Sequence, residues 1–402
     1  MNKSTFFTGQ PVFSQLIKFI PRSLIYAAVF EHNSDRYSKK FDTYHHLLTM
    51  LYTCFQNCTS LREVTTGLHA SEGRLQSLNM HYLPARSTLA DANKRRSHEV
   101  FEQIYLGLYA KYAQFLSDSR FKDSLIKRLV IIDSTTISLF QEILKNAGRP
   151  AANGRRKGGI KVHTAMNAKE SVPYLIRFTD AAKTDIPFMK EVTPPPGSIV
   201  VMDKGYHNFK QLNKWRSAHV DWITRLRANN VFEVTEQKQV SEKDKAAGVI
   251  NDQWITLGYK IKIEKVNCRL VTYYDSDGQR TFQFITSNKR LSALKIAMLY
   301  KQRWQIEMLF KRLKQNMPLD YFLGENENAI KIQIWCSLIA DLLLKVVASH
   351  VKRKWAFSNL ASFVRLHLLN YTHVLKFLEH PERCRIYNPA PTEIQLKLAF
   401  SP

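Results

Sequence analysis

Two apolar runs constrain this chain more than anything else in it. Leu129-Val-Ile-Ile-Asp133-Ser-Thr-Thr136 and Ser198-Ile-Val-Val-Met-Asp203-Lys-Gly-Tyr206 each read as a buried strand that ends in an aspartate. A strand apolar on both faces needs cover on both sides, so the chain around these runs is expected to form a mixed α/β core. Downstream, Tyr300-Lys-Gln-Arg-Trp-Gln-Ile-Glu307-Met-Leu-Phe-Lys-Arg-Leu-Lys314 reads as part of one helix over 292–315. Tyr300, Arg303, Glu307 and Lys314 would then fall within an arc of roughly 60°. Met298, Leu299, Ile306, Leu309, Phe310 and Leu313 would form an apolar stripe beside that arc.

Asp133, Asp203 and Glu307 can converge on one face of such a sheet. Clustered carboxylates repel one another and are stable mainly around divalent cations. Hard oxygen ligands favour Mg²⁺, with Mn²⁺ as a substitute. Two such ions about 4 Å apart activate an attacking oxygen and stabilise a leaving one in phosphoryl displacement. The polyanion this chemistry needs fits the composition: 59 Lys+Arg against 34 Asp+Glu in 402 residues, a formal charge of +25. Nucleic acid is the expected partner. A membrane is not, because the basic residues are spread along the chain. The five cysteines are scattered and odd in number, which fits a reducing cytosol. Cys54 and Cys58 lack a second pair at zinc-finger spacing and read as core thiols. The first twenty residues have no continuous apolar core, so no signal peptide is expected. The run Ile332 to Ala348 contains Asp341 and Lys345 and reads as a buried helix. A soluble cytoplasmic protein, associated with the nucleoid, is expected.

Residues 1–120 read as a helical DNA-binding domain. Ser60-Leu-Arg-Glu63 has the form of a capping box. Ser87 or Thr88 would cap a helix whose exposed side carries Asn93, Lys94, Arg95 and Arg96, as in a helix-turn-helix reader. From 121 to 230 the pattern is that of a core sheet. Within it, Gly154-Arg155-Arg156-Lys157-Gly158-Gly159 leads into Ile160-Lys161-Val162-His163-Thr164-Ala165, a basic glycine-rich approach to phosphate. Residues 231–283 read as a β-rich insertion. Tyr259, Ile261 and Ile263 alternate with charged residues there, and Asp275-Ser-Asp-Gly278 signals a hairpin. The core resumes over 284–350 with the glutamate helix, and 351–402 is a helical segment and tail.

These residues resemble a known family. Tyr300-x2-Arg303-x3-Glu307-x6-Lys314 matches the Y-R-E-K signature of bacterial insertion-sequence DDE transposases of family four. Ile132-Asp133-Ser-Thr-Thr and Met202-Asp203-Lys-Gly-Tyr206 resemble that family's two aspartate motifs, and Lys157-Gly158-Gly159-x-Lys161-x-His163 resembles the stretch between them. The resemblance implies an RNase H-like core interrupted by a β-rich insertion, and cut-and-paste transposition of DNA. Asp133, Asp203 and Glu307 would bind the metals, two ions, and carry catalysis. Tyr300, Arg303 and Lys314 would hold phosphates. Arg155, Lys157, Lys161, His163, Lys204 and Tyr206 join Lys94, Arg95 and Arg96 as expected DNA contacts. Trp304 matches the tryptophan that hairpin-forming relatives place near a flipped base; in the insertion, Trp254 has no motif-level match. Double-stranded DNA, both the terminal inverted repeats and the target, is the implied partner of a homodimer in a synaptic complex. A catalytically silent repressor and a nuclease without strand transfer are the alternatives; the intact carboxylates weigh against the first.

Overall fold

In the computed structural model, which describes residues 9–116, 124–138, 149–150, 156–157, 159–258 and 264–384, the two aspartate-bearing runs lie side by side as parallel strands. Strand β1 (Leu129–Ser138) is flanked on one side by β2 (Gly159–Asn167) and β3 (Val172–Asp180), which pair antiparallel. On its other side come β4 (Ile199–Met202) and β5 (Asp221–Arg225), both parallel to it. Four antiparallel strands follow in the chain: β6 (Phe232–Gln237), β7 (Val249–Leu257), β8 (Val266–Asp275) and β9 (Arg280–Thr286). Because β9 pairs with β5, all nine form one sheet in the order β3-β2-β1-β4-β5-β9-β8-β7-β6. The β-rich stretch therefore extends the core sheet, joined where buried Ile285 faces buried Thr224. Part of its signalling alternation, residues 259–263, lies outside the described residues. The hairpin closes β8 onto β9 with Asp275 opposite Arg280, and the left-handed turn residue is Gln279, not Gly278.

Helices cover both faces. Ahead of the sheet come α1 (Val12–Ile17), α2 (Arg22–His32), α3 (Thr43–Gln56), α4 (Leu61–His69), α5 (Glu72–Leu75), α6 (Arg86–Arg95) and α7 (Glu99–Tyr112). Between strands lie α8 (Ile186–Glu191), α9 (Phe209–Ser217) and α10 (Glu242–Ala246). After it come α11 (Ala293–Lys301), α12 (Trp304–Asn316), α13 (Glu327–Ser349), α14 (Phe357–His367) and α15 (Val374–Glu379). Strand side chains alternate between faces. Leu129, Ile131, Ile199 and Val201 enter a core shared with α11, α12, α13 and the N-terminal helices. Val130, Ile132, Val200, Met202 and Trp222 face the other way, onto Phe188 and Met189 of α8 and Leu212 and Trp215 of α9. Helix α13 is long and apolar enough to cross a membrane, but 83% of its most apolar window is buried. It packs against α3, α6, α7, α12 and α14. Its Trp335 meets Tyr105 of α7 and Phe178 of β3, so the N-terminal helices and the sheet share one core.

The N-terminal helices differ locally from expectation. Ser60 caps α4 through the Glu63 N–H (3.2 Å), but the Glu63 carboxylate reaches back to the Thr59 N–H (2.7 Å), one residue beyond a capping box. Neither Ser87 nor Thr88 caps α6; extended Ala85 starts the helix before either hydroxyl. Asn93 and Arg96 are buried, leaving Lys94 and Arg95 exposed. Arg96 follows the last residue of α6 with extended backbone, so helical phase no longer governs it and its side chain turns inward. There Arg96 donates to His46 Nδ1 (3.0 Å) and the Phe41 carbonyl (2.9 Å) and pairs with Asp35 (3.3 Å). His46 Nε2 donates to Asn93 Oδ1 (2.7 Å). Arg96 is thus a structural group, not a DNA contact. Burial, and then Arg96, push the His46 pKa down to about 3.

Arg96→Ala is expected to lower the unfolding free energy by about 3 kcal/mol or more in a urea titration, because it strands a buried partner set. Arg95→Ala, at an exposed pair with Asp91, should change it by less than about 0.5 kcal/mol. Equal losses would contradict the buried role of Arg96. An unfolded histidine titrates near 6.5. The stability contributed by neutral His46 is therefore complete above that pH and drains as pH falls toward 3. Acid titration of a His46→Gln variant should show a shallower loss over this window.

Candidate active site

Strand register assembles the centre of the site. Ile132 pairs with Met202, and Val201 with Ile223. Near where β4 and β5 end, the next aligned positions carry Asp133, Asp203 and Arg225. Strand β1 does not stop at its aspartate as expected. It continues to Ser138, held beyond Ile132 by β2, with Asp133 opposite Thr164. Asp133 thus marks the end of the parallel pairing and not of the strand. By alternation it follows Ile131, as Asp203 follows Val201, toward the face covered by α11 and α12.

The single helix expected over 292–315 is two, α11 and α12, joined at Gln302–Arg303. Contacts three residues back tighten the joint: Gln302 N–H to Leu299 O (3.1 Å), Arg303 N–H to Tyr300 O (3.0 Å) and Ile306 N–H to Arg303 O (3.2 Å). The apolar stripe loses phase there. Leu299, Ile306, Leu309, Phe310 and Leu313 are buried, but Met298 is 54% exposed.

The joint nevertheless brings the polar row to the aspartates. Arg303 donates through Nη1 to Asp133 Oδ2 and through Nη2 to Glu307 Oε1 (2.8 Å). Arg225 Nη2 donates to Asp203 Oδ1 (3.1 Å), and the Tyr300 hydroxyl lies 3.5 Å from the same oxygen. Asp133 also accepts from the Ser134 N–H (2.9 Å), and Asp203 from the Gly205 N–H (3.4 Å). Two guanidinium groups therefore hold three carboxylates. Burial pushes the Asp133 carboxyl up to about 6, opposed by Arg303 and the Ser134 N–H. Burial acts the same way on Asp203, but Arg225 and Arg303 outweigh it and lower its pKa. Burial raises the Tyr300 phenol to about 12.

The donor chemistry suits a hard divalent cation, since all three groups offer carboxylate oxygens. Among the described residues, however, no three acidic or imidazole groups stand close enough to ligate one ion together. Arg303 occupies the space between Asp133 and Glu307. Nε of Arg303, Nε of Arg225 and Oγ1 of Thr164 are buried without hydrogen-bond partners. Two of these three are guanidinium donors, suited to an incoming anion.

The other expected site residues divide. Trp304, 57% exposed, opens α12 beside this centre, and half-buried Lys314 lies two turns beyond Glu307. Lys204 is exposed next to Asp203, its carbonyl accepting from Arg227 Nε (2.6 Å). Lys161, His163 and Tyr206 are not surface contacts: all are at least 97% buried. The reason is strand parity. His163 pairs with Ser134 and Thr164 with Asp133, so His163 and Lys161 point to the opposite face. Arg155 lies outside the described residues. The Lys157 backbone pairs with Arg149; its side chain also lies outside what is described. Arg225 and Asp185 join the site without having been among the expected residues. Arg225 had a signal, a charge closing the apolar run Trp222-Ile-Thr beside the aspartate strands. Asp185, in the turn before α8, had none.

Comparison with known proteins identifies the family. The family described as "Transposase DDE domain" matches residues 125–343, and a domain of unknown function, DUF4372, matches residues 8–80. A putative transposase, y4zB, of Sinorhizobium fredii is 33% identical over 268 residues, covering 66% of this chain and 72% of that one. The putative transposase for insertion sequence element IS4SA of Synechocystis sp. is 28% identical over 272 residues, covering 65% and 71%. A solved structure, the piggyBac transposase synaptic complex with hairpin DNA, superposes with a TM-score of 0.44 at 11% identity over 94% of this chain and 81% of that one, a distant likeness on which nothing further rests. The chain belongs to the transposase DDE domain family, as a bacterial insertion-sequence transposase of family four, an enzyme that cleaves and rejoins DNA.

Proposed function

We propose that this transposase works by cut-and-paste: divalent-metal-dependent cleavage at terminal inverted repeats, then joining of the freed 3′ ends to target DNA. The observation that carries the reading is the meeting of Asp133, Asp203 and Glu307 around Arg303 and Arg225 on one sheet face. Asp133, Asp203 and Glu307 would hold Mg²⁺, two ions in all, which when bound activate the attacking oxygen and neutralise the leaving one. The chain's own cations do the rest. Arg303 and Arg225 exchange their carboxylates for phosphate oxygens as the substrate enters, with buried Nε donors already in place. Tyr300 and Lys314 flank the same phosphates. Exposed Trp304 offers a stacking face to a base extruded from a hairpin end.

The strand order β3-β2-β1-β4-β5, three antiparallel strands followed by two parallel to the first, supports an RNase H-like core over 121–230 and 284–350. On this reading 231–283 is its insertion, 1–120 the DNA-end reader, and 351–402 the C-terminal segment. Two ends must be held for joining, which calls for a homodimer around paired DNA. A net charge of +25 draws the protein to DNA in the cytoplasm, at the nucleoid.

With a supercoiled plasmid carrying the element's ends and Mg²⁺, Glu307→Gln should reduce strand cleavage by at least about 10³-fold. Its thermal melt should be unchanged, because the carboxylate is half exposed. Cleavage within tenfold of wild type would reject the metal reading. Arg303→Ala separates competition from support. It should bind Mn²⁺ at least as tightly as wild type in calorimetry, while cleavage falls by about 10²-fold. Weaker Mn²⁺ binding would show that Arg303 does not compete for the carboxylates.

A further inference from the structure

Directly behind the carboxylates, on the opposite face of the sheet, a second polar cluster packs buried Lys161 and His163 around a partly exposed aspartate. Its centre is Asp185, just before α8. Lys161 Nζ donates to Asp185 Oδ1 (3.1 Å) and to the Lys183 carbonyl (2.5 Å). His163 Nδ1 lies 3.6 Å from the same carboxylate oxygen and 3.4 Å from the Tyr206 hydroxyl. Its Nε2 meets Thr179 Oγ1 at 2.8 Å, and its ring stacks on Phe188. A largely buried ion pair of this kind adds little net stability over apolar packing. What distinguishes it is where it touches the chain.

Asp185 contacts the residue after one catalytic aspartate and the second residue after the other. Ser134 Oγ donates to Asp185 Oδ1 (3.1 Å), while the Ser134 N–H bonds Asp133 Oδ1 (2.9 Å). Gly205 lies against Asp185 Oδ2 so closely that a Cβ there would stand 2.8 Å from it. The Gly205 N–H in turn bonds Asp203 Oδ2 (3.4 Å). Each aspartate is thus oriented by a backbone N–H whose own residue rests on Asp185. Lys161, on β2, and the α8 turn anchor that carboxylate from two further directions. We propose that Asp185 is a positioning residue. Acting through Ser134 and Gly205, it sets the mutual orientation of the Asp133 and Asp203 carboxylates, and thereby the affinity of the site for its divalent cation. This rests on the metal reading above.

Removing an outer partner of metal-holding carboxylates weakens metal binding by about 10–100-fold. The test is Mn²⁺ calorimetry on the full chain, comparing wild type, Asp185→Asn, Ser134→Ala and Asp203→Asn. Circular dichroism melts establish that each variant is folded. Asp185→Asn and Ser134→Ala should each weaken Mn²⁺ binding by at least about tenfold. The Mg²⁺ concentration for half-maximal plasmid cleavage should rise by the same factor, with cleavage recovering at saturating Mg²⁺. If Asp185→Asn does not fold, Ser134→Ala, which strands no buried charge, carries the test alone. Mn²⁺ binding lost in Asp203→Asn but within about twofold of wild type in the folded positioning variants would overturn this proposal and leave the metal reading standing. Equal Mn²⁺ binding by wild type and Asp203→Asn would overturn the metal reading, and this inference with it.

Discussion

The guanidinium of Arg303, lying between Asp133 and Glu307, is the contact on which the rest of the site depends. Neighbouring strands bring Asp133 and Asp203 close together on one face, and α12 adds a third carboxylate; like charges so placed repel. The fold answers with Arg303 on the first and third and Arg225 on the second. Burial still raises the Asp133 carboxyl to about 6, so the balance is incomplete. In the proposed mechanism these side-chain cations give way to a harder, smaller ion when a phosphodiester arrives to receive the arginines.

The sheet fixes where these groups stand. Parallel register sets Asp133 beside Asp203, and the same register carries Arg225 to the end of β5. The opposite face is equally committed, with Lys161, His163 and Asp185 packed beneath the residues that follow each aspartate. Helix α13 ties this sheet to the N-terminal helices through Trp335, which packs against Tyr105 of α7 and Phe178 of β3.

What the sequence discloses depends on how local each determinant is. Asp133, Asp203, Arg303 and Glu307 stand at positions marked by short-range pattern, and the structure links Asp133 to Glu307 through Arg303 and holds Asp203 through Arg225. Lys161 and His163 look like cations approaching a phosphate. Which face they occupy is decided by register against β1, and register is a long-range property. Arg96 looks like one more residue of a basic helix, but it lies just past the end of α6, where the helical period no longer applies. No glycine or proline announces the joint at Gln302–Arg303, and only contacts three residues back reveal it. Asp185 sits in a turn, and its partners come from β1 and β2, far from it in sequence.

On the proposed mechanism, the carboxylates now held by arginines are the seats of divalent cations. The most direct measurement is a crystal structure of the protein with cleaved end DNA and Mn²⁺, read from the anomalous difference map. Mn²⁺ density ligated by Asp133 and Asp203 is expected, with the Arg303 guanidinium turned from Asp133 toward phosphate. Arg303 still bridging Asp133 and Glu307, with no anomalous density beside the aspartates, would contradict it.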